Sequence, residues 1–342
     1  MNIVVLAGGF SPEREVSLSS GSLIANALTK EGHRVALVDL YLGIPELPKD
    51  SAALFSSLGQ YEHPISERIP DLEELRRASG NGKSLIGKNV LGACRKADLV
   101  FLALHGGIGE NGQVQAMLDA YGIPYTGSPY DGSLLAMNKD LSKRLLRGAR
   151  IPTPDWALLD DEPIDPEKLW QAFNGSLVVK PIGCGSSVGV SLPETKEELA
   201  DAIEEASKWG KVIVEKRIKG RELALGILGD EVLPPVEILP ESGFYDYRNK
   251  YQGTTREICP ATLPDGVWET AGELAKKAFR ILRLSGYARF DLMLDDENNV
   301  WFLEANTLPG MTPNSLLPRA AAAAGIPYET LCRKIVELAS AR

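Results

Sequence analysis

The apolar positions of this chain fall into short unbroken runs separated by stretches of helical spacing. Ile3 to Leu6 and Val35 to Leu40 read as buried strands, and Val16, Leu23, Ile24, Ala27 and Leu28 between them fit one face of a helix. This is a βαβ opening of the doubly wound kind. Ser11-Pro12 predicts the helix start, with serine as the cap and proline at the first helical position. Residues 41–86 lose the periodicity and are rich in proline, serine and charge, which predicts a loop with one short helix near Leu72 to Arg77. A buried strand at Leu99 to Leu104, a helix near Val114 to Tyr121 and a short strand at Ile123 to Tyr125 finish the unit.

From Asp131 the texture changes. Lys139, Lys143, Arg144, Arg147 and Arg150 crowd a helical stretch, and Ile151-Pro152-Thr153-Pro154 reads as a turn into new structure. Strands at Leu177 to Lys180, Val188 to Leu192 and Val212 to Lys216, with a helix from Lys196 to Ser207, predict a compact central block. Next come a strand at Leu223 to Leu228, a loop over 240–255, and a helix turning Val267, Ala271, Leu274, Ala275, Ala278 and Leu282 inward. A hairpin over Tyr287 to Ala305 precedes two helices, one after Asn314 and one after Tyr328.

The hairpin carries the first chemical signal. If its turn closes with Asp295 facing Val300, Asp291 lies across from Glu304 and Arg289 across from Asn306. Alternation then puts Phe290, Leu292, Leu294, Trp301, Leu303 and Ala305 on a core face and Arg289, Asp291, Glu304 and Asn306 on the other. Opposed carboxylates repel unless a cation or a proton intervenes, and two acids with an amide oxygen are the hard ligands that magnesium takes. The plain alternative is a solvated sheet face.

A second signal is Lys180-Pro181-Ile182-Gly183-Cys184-Gly185-Ser186-Ser187-Val188-Gly189, directly after a strand. Such a loop brings main-chain amides close to phosphate oxygens, with a lysine at the strand end to neutralise them. The order of a P-loop is absent, and alone the segment reads equally as a glycine-rich turn. Together with the acidic hairpin it favours a nucleotide. Gly107, Gly109 and Gly112 fit the dinucleotide fingerprint, but the next strand ends at Tyr125-Thr126-Gly127-Ser128 with no acid for a ribose hydroxyl, which argues against NAD. His105 beside them either contacts substrate or caps the strand.

Composition narrows the class. The 342 residues are 44% hydrophobic and 24% charged, which excludes a disordered or fibrous chain and suggests two or three domains. Thirty-seven lysines and arginines against forty-six acids leave a net charge of -9, which argues against nucleic acid or an anionic membrane as partner. Cys94, Cys184, Cys259 and Cys332 lie more than seventy residues apart, so they read as reduced thiols of a cytoplasmic protein rather than as a disulfide or zinc framework. No signal peptide or membrane-spanning run is expected.

A series of motifs in order resembles the D-alanine:D-alanine ligase family of the ATP-grasp superfamily over nearly the whole chain. These are Gly8-Gly9-Phe10-Ser11-Pro12-Glu13-Arg14-Glu15-Val16-Ser17, His105-Gly106-Gly107 with Gly109-Glu110-Asn111-Gly112, Tyr125-Thr126-Gly127-Ser128, Met137-Asn138-Lys139, and the Lys180 loop. Phe244-Tyr245-Asp246-Tyr247 with Lys250-Tyr251, the Arg289 hairpin, and Glu304-Ala305-Asn306-Thr307-Leu308-Pro309-Gly310-Met311-Thr312 through Ser315-Leu316 complete it. Leu308 stands where serine is as readily expected.

The resemblance implies an N-terminal doubly wound parallel-sheet (pre-ATP-grasp) α/β domain over 1–127. A two-lobed α+β ATP-grasp fold would follow, with lobes at 128–219 and 220–342. It implies a homodimer that phosphorylates one D-alanine with ATP and then couples it to a second D-alanine, for peptidoglycan precursor synthesis. Lys139, Lys180, Gly185, Ser186, Ser187 and Lys250 would contact the nucleotide's phosphates or the loops over them, and Glu215, Lys216, Ile218 and Glu222 its adenosine. Asp291, Glu304 and Asn306 would hold two magnesium ions, manganese being an alternative. Glu13 would meet the first ammonium group, Arg289 and the Gly310 amide the oxyanion, His105 the substrate, and Ser315 with Leu316 the second carboxylate. Glu13, Ser186 and Tyr251 would tie a lid over 240–255, and tyrosine at 251 favours an amine as second substrate. The alternatives are another ATP-grasp carboxylate–amine ligase, such as one making D-alanyl-D-serine, or a non-catalytic nucleotide-binding regulator. Arg289 and the three metal ligands are all retained, which disfavours the regulator.

Overall fold

The molecule is described from a computed structural model covering residues 1–63, 70–159, 165–185, 187–240 and 255–342. Its first sheet is parallel, β1 (Asn2–Ala7), β2 (Arg34–Asp39) and β3 (Leu99–Leu102) in the order β2-β1-β3, with α1 (Arg14–Lys30) linking β1 to β2. Residues 3–7 of β1 are fully buried, as strands covered on both faces must be. The helix begins later than the Ser11-Pro12 reading predicts, because Ser11 is used elsewhere. Its Oγ accepts the Glu13 amide at 3.0 Å and donates to the His105 carbonyl at 2.7 Å, fixing a turn before the helix. Short helices follow at α2 (Leu72–Ser79), α3 (Val90–Cys94), α4 (Gly107–Glu110) and α5 (Gln113–Ala120). The predicted strand at Ile123 to Tyr125 reduces to one parallel bridge between Val100 and Tyr125.

The basic stretch forms two helices, α6 (Tyr130–Met137) and α7 (Lys139–Gly148), broken at extended Asn138, whose side chain caps α7 by accepting the Leu141 amide. The second sheet is antiparallel, β4 (Trp156–Leu159), β5 (Leu177–Pro181) and β6 (Val212–Lys216) in the order β4-β6-β5, packed with α8 (Pro166–Ala172) and α9 (Lys196–Ser207). The strand predicted at Val188 to Leu192 is a turn instead. Positive φ at Ser187 (59°) and Gly189 (71°) curls the chain, leaving only a bridge between Ser191 and Val179.

The third sheet runs β10-β9-β7-β11-β12, all antiparallel, from β7 (Arg221–Leu228), β9 (Val236–Pro240), β10 (Thr255–Ile258), β11 (Tyr287–Leu294) and β12 (Val300–Asn306), with β8 (Glu231–Val232) paired to β7. Helix α10 (Val267–Ile281) buries Ala271, Ala275 and Ala278 against it. Helices α11 (Leu316–Ala323) and α12 (Tyr328–Ser340) return to the N-terminal sheet. There Leu331, Cys332, Ile335 and Val336 join the same buried cluster as β1, α1 and β3.

The hairpin corrects two expectations and keeps a third. Its turn pairs Leu294, not Asp295, with Val300, and the register shifts by one between Asp291 and Leu292, which leaves Leu303 as the extra residue. Asp291 therefore still faces Glu304, and Arg289 still faces Asn306. The core face changes on the turn side of the bulge. Val300 and Phe302 are buried with Phe290, Leu292 and Leu294, whereas Trp301 and Leu303 are half-buried on the other side.

Candidate active site

A cavity of about 410 Å³ lies between the second and third sheets. Lys180 at the end of β5 and Glu215 and Lys216 on β6 line one wall, with Ile218 on the crossover. Glu222 on β7, Asp291 on β11, and Leu303 and Glu304 on β12 line the other, and Lys139 reaches in from the start of α7. The bulge is what turns Leu303 into this wall.

Three of the carboxylates here, Asp291, Glu304 and Glu215, meet a cation. Arg289 grips Asp291 with two bonds, 2.7 Å from Nε and 2.8 Å from a terminal nitrogen, and Asn306 Nδ2 donates to the same carboxylate at 3.0 Å. Lys139 Nζ lies 3.2 Å from Glu304 Oε2 and donates to the Cys184 carbonyl at 2.7 Å, tying the glycine loop to α7. Glu215, almost fully enclosed, has Lys180 Nζ 2.5 Å from Oε1 and Lys143 Nζ 2.9 Å from Oε2. Burial alone would raise its carboxyl above the usual range, but the two ammonium groups outweigh it and hold it low.

A second, smaller recess adjoins through Lys139, Cys184 and Glu304, and is lined further by Glu110, Gly185, Asn306 and Thr307. Buried Glu13 stands over it. A β-carbon placed on Gly106 would come 2.5 Å from Glu13 Oε2 and one on Gly185 3.3 Å, so the acid is clasped between the two glycine loops. Glu110 accepts the amides of Gly106 at 2.8 Å and Leu308 at 3.2 Å. Burial, aided by the neighbouring Glu13 charge, pushes its carboxyl up to about 8. His105 Nδ1 lies 3.0 Å from the Leu308 carbonyl and Nε2 3.5 Å from Ser20 Oγ, and burial pulls the imidazole below its usual value. Both polar groups of the Leu308 peptide are thus held from the N-terminal unit.

Beyond β12, Gly310, Ser315 and Leu316 gather at the start of α11. Ser315 Oγ pairs with Thr312 Oγ1 at 2.8 Å, and a β-carbon on Gly310 would lie 2.8 Å from Ser315 Oγ. Lys139, Lys180, Ser187, Glu215, Lys216, Ile218, Glu222, Asp291 and Glu304, expected from sequence, share the large cavity, while Gly185 and Asn306 line the recess. Ser186, Lys250, Tyr251 and the lid over 240–255, except Pro240 and Thr255, lie outside the described residues. Sequence reasoning missed Lys143 and Glu110 as site residues. The visible signals were the spacing of Lys143 one helical turn from Lys139, and the place of Glu110 between paired glycines.

The donor set fits magnesium. Asp291 and Glu304 are opposed on the sheet and face the cavity, two hard carboxylate donors, and Asn306 of the adjoining recess, whose Nδ2 donates to Asp291, carries an amide oxygen close by. Among the described residues no group of three or more His, Cys, Asp or Glu side chains could hold a metal by itself.

A parallel sheet leading into two antiparallel sheets around a lysine-edged cleft is the architecture of an ATP-grasp enzyme. Residues 2–128 match the D-ala D-ala ligase N-terminus family and residues 145–337 the D-ala D-ala ligase C-terminus family. The D-alanine–D-alanine ligase of Pediococcus pentosaceus is 43% identical over 98% of this chain and 97% of its own, and that of Lacticaseibacillus casei 40% identical over 98% and 95%. The crystal structure of the Bacillus anthracis D-alanine–D-alanine ligase complexed with ATP superposes with a TM-score of 0.77 at 30% identity, covering 100% of this chain and 98% of that one. The chain belongs to the D-alanine–D-alanine ligase family.

Proposed function

We propose that this protein joins two D-alanine molecules into D-alanyl-D-alanine, a peptidoglycan precursor, converting ATP to ADP and phosphate. A carboxylate oxygen of the first D-alanine attacks the γ-phosphorus of ATP, ADP leaves, and a D-alanyl phosphate forms. The amine of the second D-alanine then attacks the carbonyl carbon. The C–O bond to phosphate breaks with its electron pair going to the leaving phosphate, which takes up the proton the amine gives away, and the amide remains. The observation that carries this reading is the continuity of a cation-edged cleft with a recess over which a buried acid is clasped between two glycine loops.

The roles are those the family resemblance implies, and the charges of the side chains support them. Lys139 and Lys180 face the cleft and hold phosphate oxygens, helped by Gly185, Ser186, Ser187 and Lys250. Lys216, Ile218, Glu222 and Glu215 bound the adenosine end. Glu13 draws the first ammonium group, and His105 lies beside it. Arg289 and the Gly310 amide stabilise negative charge on the carbonyl oxygen, while Ser315 and the Leu316 amide take the second carboxylate. Asp291, Glu304 and Asn306 would hold magnesium, which neutralises charge between neighbouring phosphates when bound. Ser186 and Tyr251 close the lid with Glu13 and exclude water, which would otherwise hydrolyse the acylphosphate. The cleft divides lobes 128–219 and 220–342, behind an N-terminal domain over 1–127. The protein is a homodimer of the cytoplasm. No helix among the described residues is long and apolar enough to cross a membrane.

Incubation with ATP, magnesium and D-alanine gives phosphate and D-alanyl-D-alanine in equal amounts. Phosphate release no greater than without amino acid, or equal release with L-alanine, overturns the reading. D-serine in place of the second D-alanine tests the neighbouring specificity.

A further inference from the structure

Lys143 does none of the work assigned above, yet it is among the largest fully buried side chains of the protein. A lysine side chain 1% exposed needs a reason to stay charged. Its ammonium group lies 2.9 Å from Glu215 Oε2, 2.8 Å from Thr153 Oγ1 and 3.2 Å from the Pro154 carbonyl, under the ring of Trp156. Thr153 Oγ1 donates onward to the Phe302 carbonyl on β12, so the group is anchored from both sheets that form the cleft. On its own helix Arg147 adds positive charge, while Asp140 is turned to Trp156 Nε1 and Arg144.

Glu215 is therefore one carboxylate shared by two ammonium groups. With Lys180 alone it would form a neutral pair, and little of the lysine's field would reach a ligand. With Lys143 on its other oxygen the cluster carries a net charge of about +1, and Lys180 at the cavity wall is where that charge is exposed. We propose that Lys143 is a positioning residue that engages half of Glu215 from beneath, so that Lys180 keeps a net positive charge for the phosphates of the nucleotide. Lys139 and Lys143, one helical turn apart on α7, then serve the same phosphates from the two sides of the cavity wall. The inference rests on the nucleotide reading above. Burial, opposed by Glu215 and reinforced by Lys180, pulls the Lys143 amine down to about 8, so the charge is present below that pH and lost above it.

The test compares binding of magnesium-ADP with binding of adenosine, which has no phosphates. Lys143→Met weakens ADP about tenfold and leaves adenosine within about twofold. Lys143→Met with Glu215→Gln restores a net positive cluster, and the ratio of ADP to adenosine affinity returns to within about threefold of the parent ratio, a comparison from which any effect of Glu215 on adenosine itself cancels. In the parent, ADP affinity falls between about pH 7 and pH 9 while adenosine affinity stays level, a check that needs no substitution. Equal loss of both ligands in Lys143→Met, no loss of ADP, a double variant whose ratio of ADP to adenosine affinity is as low as the single's, or a flat parent pH profile overturns the proposal. A parent that binds adenosine and not ADP overturns the functional reading itself.

Discussion

The two ends of the site are built on opposite electrostatic plans. In the large cleft three acids have basic partners: Asp291 with Arg289, Glu304 with Lys139, and Glu215 with Lys180 and Lys143. In the recess Glu13 and Glu110 crowd each other, and their mutual repulsion adds to burial in raising Glu110. An end of the first kind is ready to exchange partners when phosphates and metal arrive, because its charges are already desolvated and aimed. In the proposed reaction the ammonium group of an amino acid would bring a further cation to that crowded end. The difference separates residues that should govern turnover from residues that should govern affinity or stability.

The largest expected effect comes from unbalancing the paired end. Glu304→Gln removes the partner of Lys139 and, in the proposed reaction, a carboxylate that holds metal, and turnover falls by roughly a hundredfold or more with secondary structure unchanged. Turnover near the parent value would contradict the metal assignment.

An intermediate effect is expected in the crowded recess, where stability rather than chemistry is the readout. Glu110 titrates near 8 in the native protein against an ordinary 4.5, so the folded state holds a proton that the unfolded state releases. The stabilisation from that proton is complete below about pH 4.5, declines as pH rises, and is gone above about pH 8. In Glu110→Gln this decline disappears. At pH 5 the variant should be less stable by about 1–2 kcal/mol, since its amide NH₂ faces one of two main-chain donors. Urea titrations at pH 5 and pH 8 check this, and a gap that widens with pH has the wrong sign.

The smallest effect sharpens the boundary between the two ends. Gly310→Ala brings a methyl group to 2.8 Å from Ser315 Oγ, and the hydroxyl must rotate or shift. The expected change is a severalfold rise in KM for the second D-alanine with kcat nearly retained, read from initial rates at saturating ATP.

How much of this could be read beforehand depended on the range of the interactions involved. Helix α9 and strand β6 have the predicted ends, because their periodicity and the Thr195 cap are local. The Asp291–Glu304 pairing was legible, but through a turn reading that is off by one and a bulge that restores the difference. Bulges carry no reliable local signal, so the core assignments of Trp301 and Leu303 went to the wrong face. The late start of α1 was hidden because Ser11 bonds a carbonyl ninety-four residues away. Lys143 was visible only as one charge in a basic stretch, since its partners come from β6 and the Thr153 turn.

The return of α12 to the first sheet has a consequence for synthesis. The N-terminal unit owes part of its core to Leu331, Cys332, Ile335 and Val336, and Glu329 and Arg333 pair across the same seam with Lys30, the last residue of α1, and with Glu31, which caps it. A ribosome releasing this chain from its first residue exposes β1, α1 and β3 long before the helix that covers them exists. The unit made early is thus completed late, and a chain stopped short of residue 328 leaves exposed the apolar surface that α12 covers.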